Sequence, residues 1–507
     1  LSALSAIGHA TRLARALLVM AREGVFAGVD AEFLPPIARP PLGLLKLIGR
    51  RDEGGHGLSR AMERLGPSYV KLGQFLATRP DIVSARVADE LERLQDRVAP
   101  LPREVAVKRI EAAFGTPWDQ VFAEFGEPVA AASIAQVHKA RIGEGDDARW
   151  VAVKVLRPGV ERRFQRDLAD MFFAARMAEK MAPDARRLRP VQIVETLARS
   201  VRMELDFRLE AAAAAEYGEN LKDDADFRAP RIDWDRTTRE VLTMEWIDGL
   251  PLSDPAALTA QGWDVARLGQ RFIQSFLTHA LRDGFFHADM HQGNFLVDVE
   301  GRIVALDFGI MGRLGRAEQR FLAEILFGFI RRDYLRVAEV HFEAGYVPKH
   351  YRVEDFAQAI RAIGEPIHAR PADQISMARV LTLLFEVTAL FDMQTRLELV
   401  MLQKTMVVVE GVARKLDPRL NMWTTAEPVV GAWIAQNLGP LGRLEEAREK
   451  LGGFARSLAE IPKKIERFEA FLVNMEKAAA EPVELSTAAL WVIAAALVMI
   501  AIRLFLR

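Results

Sequence analysis

The chain has 507 residues, half of them hydrophobic, 27% charged, and a net charge of -1. That length buries a large core and has room for more than one domain, while the near-neutral balance argues against a generic nucleic-acid binder, which carries a basic excess. With no cysteine, disulfide frameworks and thiolate metal sites are excluded.

Residues 1 to about 100 read as mostly helical, with the proline-rich break from Leu34 to Pro41 separating a first helix from the rest. In that helix Arg12, Arg15 and Arg22 stand among Leu13, Leu17, Leu18 and Val19, a pattern that fits packing onto the domain and also an amphipathic helix on a membrane surface. No signal peptide stands out, and a start at Leu1 instead of methionine suggests that a few residues precede it. The segment Tyr69 to Asp81 reads as a helix with a glycine interruption and contains Lys71-Leu72-Gly73-Gln74.

A strand-rich unit is expected from about 120 to 250, interrupted by helix from Glu161 to Ala215. The run Val129 to Ala140 holds Ala130, Ala131, Ala132, Ser133 and Ile134, where alanine tolerates positive φ far less than glycine would. Plain helix with surface Ser133, Gln136 and His138 is the alternative. In Trp150 to Leu156 an apolar, β-branched strand carries Lys154, costly to bury unpaired and otherwise an edge lysine reaching water. From Arg202 to Ala211 a helix-prone segment supplies Glu204, Asp206 and Glu210. Asp206 and Glu210, four apart, are expected on one helix face, and the three acids also fit a solvated surface.

From about 255 to 435 the pattern is mainly helical around one dense segment, Phe286-His287-Ala288-Asp289-Met290-His291-Gln292-Gly293-Asn294, followed by Leu306-Asp307-Phe308-Gly309. Asp289, Asn294 and Asp307 have the spacing protein kinases use. There the first Asp orients or deprotonates the attacking hydroxyl, and the Asn and second Asp hold Mg²⁺ against ATP phosphates. The runs Phe295 to Asp298 and Ile303 to Leu306 about Glu300-Gly301 predict a hairpin presenting Asp307 beside Asp289. At the C-terminus, Leu485 to Ile502 carries no charge. At a rise of about 1.5 Å per residue it nearly spans a hydrocarbon core of about 30 Å, so it reads as a transmembrane segment with Arg503 snorkelling. Basic residues flank both of its ends, Lys477 before and Arg503 and Arg507 after, so the positive-inside rule leaves its orientation open.

Lys71-Leu72-Gly73-Gln74 resembles the Lys-x-Gly-Gln signature of the UbiB family of atypical kinases. The alanine-rich run, the Glu204-Leu205-Asp206 triplet, Leu94-Gln95-Asp96, the His-Ala-Asp-x-His-x-Gly-Asn loop and Asp-Phe-Gly are similar to the family's other hallmarks, in family order, over roughly residues 20 to 430. The resemblance implies an α+β fold, protein-kinase-like and bilobal, with an N-terminal helical extension lying across the active site and a C-terminal transmembrane helix. The expected divisions are 1–110 for the extension, 111–250 for the small lobe, 251–435 for the large lobe, 436–484 for a helical linker and 485–507 for the membrane segment.

Carried onto these residues, the resemblance implies that Lys154 is the nucleotide lysine paired with Glu210, and that Glu204 and Asp206 meet Lys71, with Gln74 beside them in a regulatory role. Asp289 becomes the catalytic acid and Asn294 and Asp307 the Mg²⁺ ligands. Ala130 to Ile134 cover the nucleotide, and the backbone at Glu245 and Ile247 becomes the hinge for adenine. Two departures stand out: Gln292 replaces a usual proline, and Ala135 a usual glycine. The implied function is ATP and Mg²⁺ binding with ATP hydrolysis in support of ubiquinone biosynthesis, at the bacterial inner membrane with the catalytic domain on the cytoplasmic side. Expected partners are membrane lipids and ubiquinone-precursor lipids or biosynthetic enzymes, with no nucleic acid, and a homodimer is left open. Bacterial relatives commonly carry two C-terminal spans, where one is visible here. A nucleotide-binding scaffold without turnover and a prenylphenol kinase are the alternative functions.

Overall fold

The computed structural model describes residues 3–27, 56–77, 85–91, 98–181, 189–368, 390–393 and 397–439, with isolated positions between them. The chain divides into two compact units, Leu1–Trp433 and Ile434–Arg507, and the site lies wholly within the first.

The first helix, α1 (Ala3–Arg22), packs onto the domain. Arg12 grips Asp170 with two bonds of 2.7 Å, His9 stacks on Phe173, and Arg64 reaches Glu23 just past the helix end at 2.7 Å. Next come α2 (Gly57–Leu65), α3 (Pro67–Ala77) and α4 (Ala85–Leu91). The sharp corner between α2 and α3 is Gly66-Pro67: glycine takes φ of 97°, and proline opens a helix where its missing N–H costs nothing. Inside α3, Gly73 sits so close to Leu94 that a Cβ would come within 2.3 Å of its side chain, so the glycine interruption is a packing contact. The proline-rich break, Gln95 and Asp96 lie outside the described residues.

The small lobe comprises α5 (Arg103–Phe114), α6 (Trp118–Val121), β1 (Glu124–Ala131), β2 (Ala135–Ile142) and β3 (Arg149–Leu156), then α7 (Val160–Met181), α8 (Pro190–Glu204), α9 (Phe207–Asn220), β4 (Phe227–Arg228) and β5 (Val241–Glu245). Strands β1, β2, β3 and β5 form one antiparallel sheet in that order. Alternation along a strand sends successive side chains to opposite faces. Val151, Val153 and Val155 therefore enter one core with Ile110 and Phe122, while Lys154 and Leu156 emerge on the other, toward Phe207.

The large lobe contains β6 (Gly249–Pro251), α10 (Pro255–Ala260), α11 (Val265–Thr278), β7 (Phe285–His287), β8 (Phe295–Asp298), β9 (Ile303–Ala305) and β10 (Met311–Arg313). Helices α12 (Arg316–Arg331), α13 (Tyr334–Glu343), α14 (Val353–His368), α15 (Leu397–Leu416) and α16 (Met422–Asn437) follow. The hairpin predicted around Glu300-Gly301 is β8 and β9, antiparallel, with Gly301 at φ of 79°. Strand β7 pairs with β10, and Gly312 lies flat on Phe286, where a Cβ would fall 2.2 Å from the ring. Phe286 and Phe295 of this segment are fully buried, as are Phe272 and Phe276 of α11, each contributing roughly 1.5–3 kcal/mol by leaving water.

Among the described residues no helix is long and apolar enough to cross a membrane. The apolar run from Leu485 to Ile502 and the expected linker from 440 onward lie outside them.

Candidate active site

Lys154 is the centre of the site. Strand alternation turns it toward α9, where its Nζ lies 2.7 Å from Glu210 and 3.2 Å from Asp307. Burial opposes the Lys154 charge, but the two carboxylates override it and hold the ammonium above its ordinary range. Burial likewise works against Asp307, and Lys154 with the Gly309 amide reverses the effect, bringing its carboxyl down to about 2. Glu210 is pushed up by burial, with Lys154 opposing.

Each Asp307 oxygen has its own donor: Oδ1 accepts from the Gly309 N–H at 2.9 Å and Oδ2 from Lys154. Across the hairpin, Asn294 donates from Nδ2 to the Asp289 carboxylate at 3.0 Å and to the Asp289 carbonyl at 3.1 Å. The hairpin itself ties the two ends together, since the Leu306 N–H donates to the Asn294 carbonyl at 2.9 Å. His287, buried between them, joins both aspartates. Its Nε2 lies 2.5 Å from the Asp307 carbonyl, and its Nδ1 accepts the Asp289 N–H at 3.1 Å, which sets the tautomer. Burial lowers the His287 pKa and favours this neutral ring. The sequence motif contains His287 without giving it a role; its place two residues before Asp289 is the available signal.

The acidic triplet divides differently from the expectation. Helix α8 ends at Glu204, and Asp206 leaves helical geometry to cap α9, accepting the Arg208 N–H at 3.2 Å and pairing with its guanidinium at 2.7 Å. Asp206 and Glu210 therefore do not share a continuous helix face, and Asp206 is engaged by Arg208. Glu204 meets Lys71 at 2.7 Å, which ties α3 to the segment that launches α9. Gln74 lies half-buried one turn on, on the same helix, while Tyr69, Leu72 and Phe75 pack against the core to which Ile134, Leu156 and Phe207 belong.

The alanine-rich run is a β-hairpin, not a helix. Its tip, Ala132 to Ile134, uses no positive φ, and it is closed by Ala132 N–H donating to the Ala135 carbonyl at 2.8 Å. Arg157 braces it, bonding the Ala132 carbonyl at 3.0 Å while its own N–H meets the Ile134 carbonyl at 2.8 Å. Ala130 is exposed and Ala131 and Ala132 half-buried, whereas Ser133 and Ile134 are buried. The Ile134 side chain belongs to the core with Leu156. Ala135 is also core, so its methyl fills space a glycine would leave empty. Gln136 and His138, which the alternative reading places at the surface, are buried and bonded to one another at 2.8 Å.

At the end of β5, the Glu245 carboxylate pairs with Arg228 at 3.1 Å and its N–H donates to the Arg231 carbonyl at 2.8 Å. The Glu245 carboxylate and N–H are thus both engaged within the domain, while Ile247 is buried just beyond them. Gln292, the proline departure, accepts from Lys415 at 3.4 Å. Two further links have no signature in the sequence. Glu216 of α9 pairs bidentately with Arg313 of β10, at 2.7 and 2.5 Å, and Tyr217 packs its ring on Phe308 at 5.7 Å while bonding His279 at 2.9 Å. Both fasten α9 to the segment carrying Asp307.

The pattern of the ABC1 atypical kinase-like domain matches residues 93–341, and that of the UbiB helical domain matches 360–421. The probable protein kinase UbiB of Marinobacter nauticus is 41% identical over 413 residues, covering 80% of this chain and 75% of that protein. The chain belongs to the UbiB family of atypical kinases. The probable protein kinase UbiB of Aeromonas hydrophila is 39% identical over 459 residues, covering 89% of this chain and 84% of that one. A solved structure, the Rv3197–erythromycin complex from Mycobacterium tuberculosis, superposes with a TM-score of 0.50 at 24% identity, covering 77% of this chain and 98% of that one. At that identity the likeness concerns the fold alone, and it agrees with a kinase-like arrangement for this UbiB-family chain.

Proposed function

We propose that this UbiB-family chain is a membrane-anchored atypical kinase or ATPase that binds ATP and Mg²⁺, hydrolyses ATP, and thereby supports ubiquinone biosynthesis through its lipid precursors or their enzymes. The observation that carries the reading is Lys154 held between Glu210 and Asp307, with Asn294 holding Asp289 on the other side of the same hairpin.

The residues fit the implied ligands. Asp307, ionised through the physiological range, and the Asn294 side-chain oxygen make an oxygen donor set suited to a hard cation that keeps several waters. Bound there, Mg²⁺ would neutralise phosphate charge. Lys154, fixed by Glu210, offers its ammonium to the phosphates, and Asp289 orients or takes the proton of the attacking hydroxyl or water. With the Glu245 N–H committed to Arg231, adenine recognition passes to the backbone at Ile247. The Lys71–Glu204 pair holds α3 on the small lobe and restricts protein substrates, and the run from Leu485 to Ile502 supplies the anchor to the inner membrane, with the catalytic domain on its cytoplasmic side.

The test is ATP hydrolysis by the purified full chain with and without phospholipid vesicles, wild type against Asp307→Asn. Mg²⁺-dependent turnover that rises with vesicles and falls strongly in the variant supports the reading. Equal turnover in both proteins contradicts it.

A further inference from the structure

The peptide unit joining Ala288 to Asp289 carries the side chain on which the proposed chemistry depends, and both of its polar ends are held. Its N–H, that of Asp289, donates to His287 Nδ1 at 3.1 Å. Its carbonyl, that of Ala288, accepts from Thr405 Oγ1 at 3.0 Å. Thr405 is buried, 1% exposed, and sits on α15, within the stretch matching the UbiB helical domain and more than a hundred residues downstream of the loop it touches. One residue earlier in the loop the Ala288 N–H donates to the Ile310 carbonyl at 3.1 Å, so the backbone entering Asp289 is clamped from the Asp-Phe-Gly side and from the helical domain.

A threonine within a helix ordinarily satisfies its hydroxyl on the carbonyl four residues back, and Thr405 does reach the Met401 carbonyl at 2.8 Å. The hydroxyl has one proton, so the two carbonyls share it. A hydroxyl already satisfied by its own helix has no need of a second acceptor. The arrangement is explained by what it does for Ala288, a carbonyl that would otherwise lose a donor beside the catalytic loop. Nearly three turns further along α15, Lys415 reaches Gln292, so the helix follows the loop from one end to the other.

We infer that Thr405 is a positioning residue for Asp289: the helical domain fixes the plane of the Ala288–Asp289 peptide through this hydroxyl, and with it the direction of the Asp289 carboxylate. The inference rests on the reading of Asp289 as the catalytic acid. Positioning acts on the chemical step, where a misplacement of about 1 Å costs as much as ~100-fold, and leaves nucleotide binding by Lys154 and Asp307 largely alone.

The test compares Thr405→Val, Thr405→Ala and Thr405→Ser in the full chain by two readouts: Mg²⁺-dependent ATP turnover, and hydrogen exchange of the Asp289 amide without nucleotide. Loss of the hydroxyl in Val and Ala is expected to lower kcat about tenfold with KM for ATP within about twofold, and to speed exchange at Asp289 about tenfold. Exchange in β2, far from α15, stays unchanged, and Ser behaves as wild type. Wild-type exchange at Asp289 in both Val and Ala, or equal loss in Ala and Ser, overturns the inference, the latter by showing that packing of the methyl matters instead. If Val fails to fold, β2 loses protection as well, and Ala against Ser decides. A wild-type chain that hydrolyses no ATP removes the proposed function, while the exchange readout still decides the role of Thr405.

Discussion

Two lysine–glutamate pairs flank the junction of α8 and α9, and they are nearly twins. Lys71 meets Glu204 and Lys154 meets Glu210, each at 2.7 Å, and all four side chains are between 8 and 14% exposed. Glu204 ends α8 and Glu210 lies in the first turn of α9, with the Asp206 cap between them. The difference lies in what stands behind each lysine. Lys154 reaches on to Asp307, so its pair belongs to a charge cluster of one cation and two anions. Lys71 is on α3, so its pair fastens an added helix to the lobe. Burial and distance alone do not separate the two pairs; the bond from Lys154 to Asp307 and the added helix that carries Lys71 do.

The largest effect is expected at Asp307. Asp307→Asn removes one anion of the cluster and the oxygen proposed for Mg²⁺, and ATP turnover measured at saturating Mg²⁺ should fall by about 1000-fold, or ~4 kcal/mol of transition-state stabilisation. Glu410 offers a contrast with the tight pairs. It is a buried carboxylate paired with Arg414 at 3.6 Å, and burial outweighs that cation to push it up to about 7. A carboxyl raised on folding favours the protonated folded state. Its contribution is therefore most favourable below the ordinary value of 4.5 and is lost as pH rises through about 7. Glu410→Gln should remove that decline, a difference of roughly 3 kcal/mol at pH 8 in denaturant titrations. An unchanged slope between pH 5 and 8 would show that Arg414 compensates the burial fully.

Gly73→Ala sharpens the mechanical side. Its Cβ would meet Leu94 at 2.3 Å, so α3 must shift or Leu94 must change rotamer, at a cost of about 1–3 kcal/mol, visible as a lowered Tm and faster proteolysis before Arg103. A variant with wild-type Tm would mean that this helix packs loosely. The smallest effect is expected on the Lys71 side of the chemistry: Lys71→Met should leave turnover within about threefold while loosening α3, read as faster hydrogen exchange there.

The spacing of Asp289, Asn294 and Asp307 was legible because a short hairpin joins them, and hairpins write themselves locally in alternating apolar residues and a turn glycine. Lys154 was legible for a similar reason, as the one charge in the apolar run from Trp150 to Leu156. What escaped were features decided by helix boundaries and distant packing. Asp206 and Glu210 are four apart, yet a cap intervenes and the helical spacing does not apply. Ile134 and Ala135 read as loop residues, while their side chains complete a core that includes Phe207, which no local pattern announces. Thr405 carried no signal at all, since only the fold of the helical domain brings α15 beneath Ala288.

If the Lys154–Glu210 pair serves the chemistry and the Lys71–Glu204 pair holds the added helix, steady-state ATP hydrolysis in Glu210→Gln and Glu204→Gln, measured side by side, separates them. The account predicts a fall in kcat of about 100-fold for Glu210→Gln and a change of less than about threefold for Glu204→Gln. Equal losses in the two variants would contradict it.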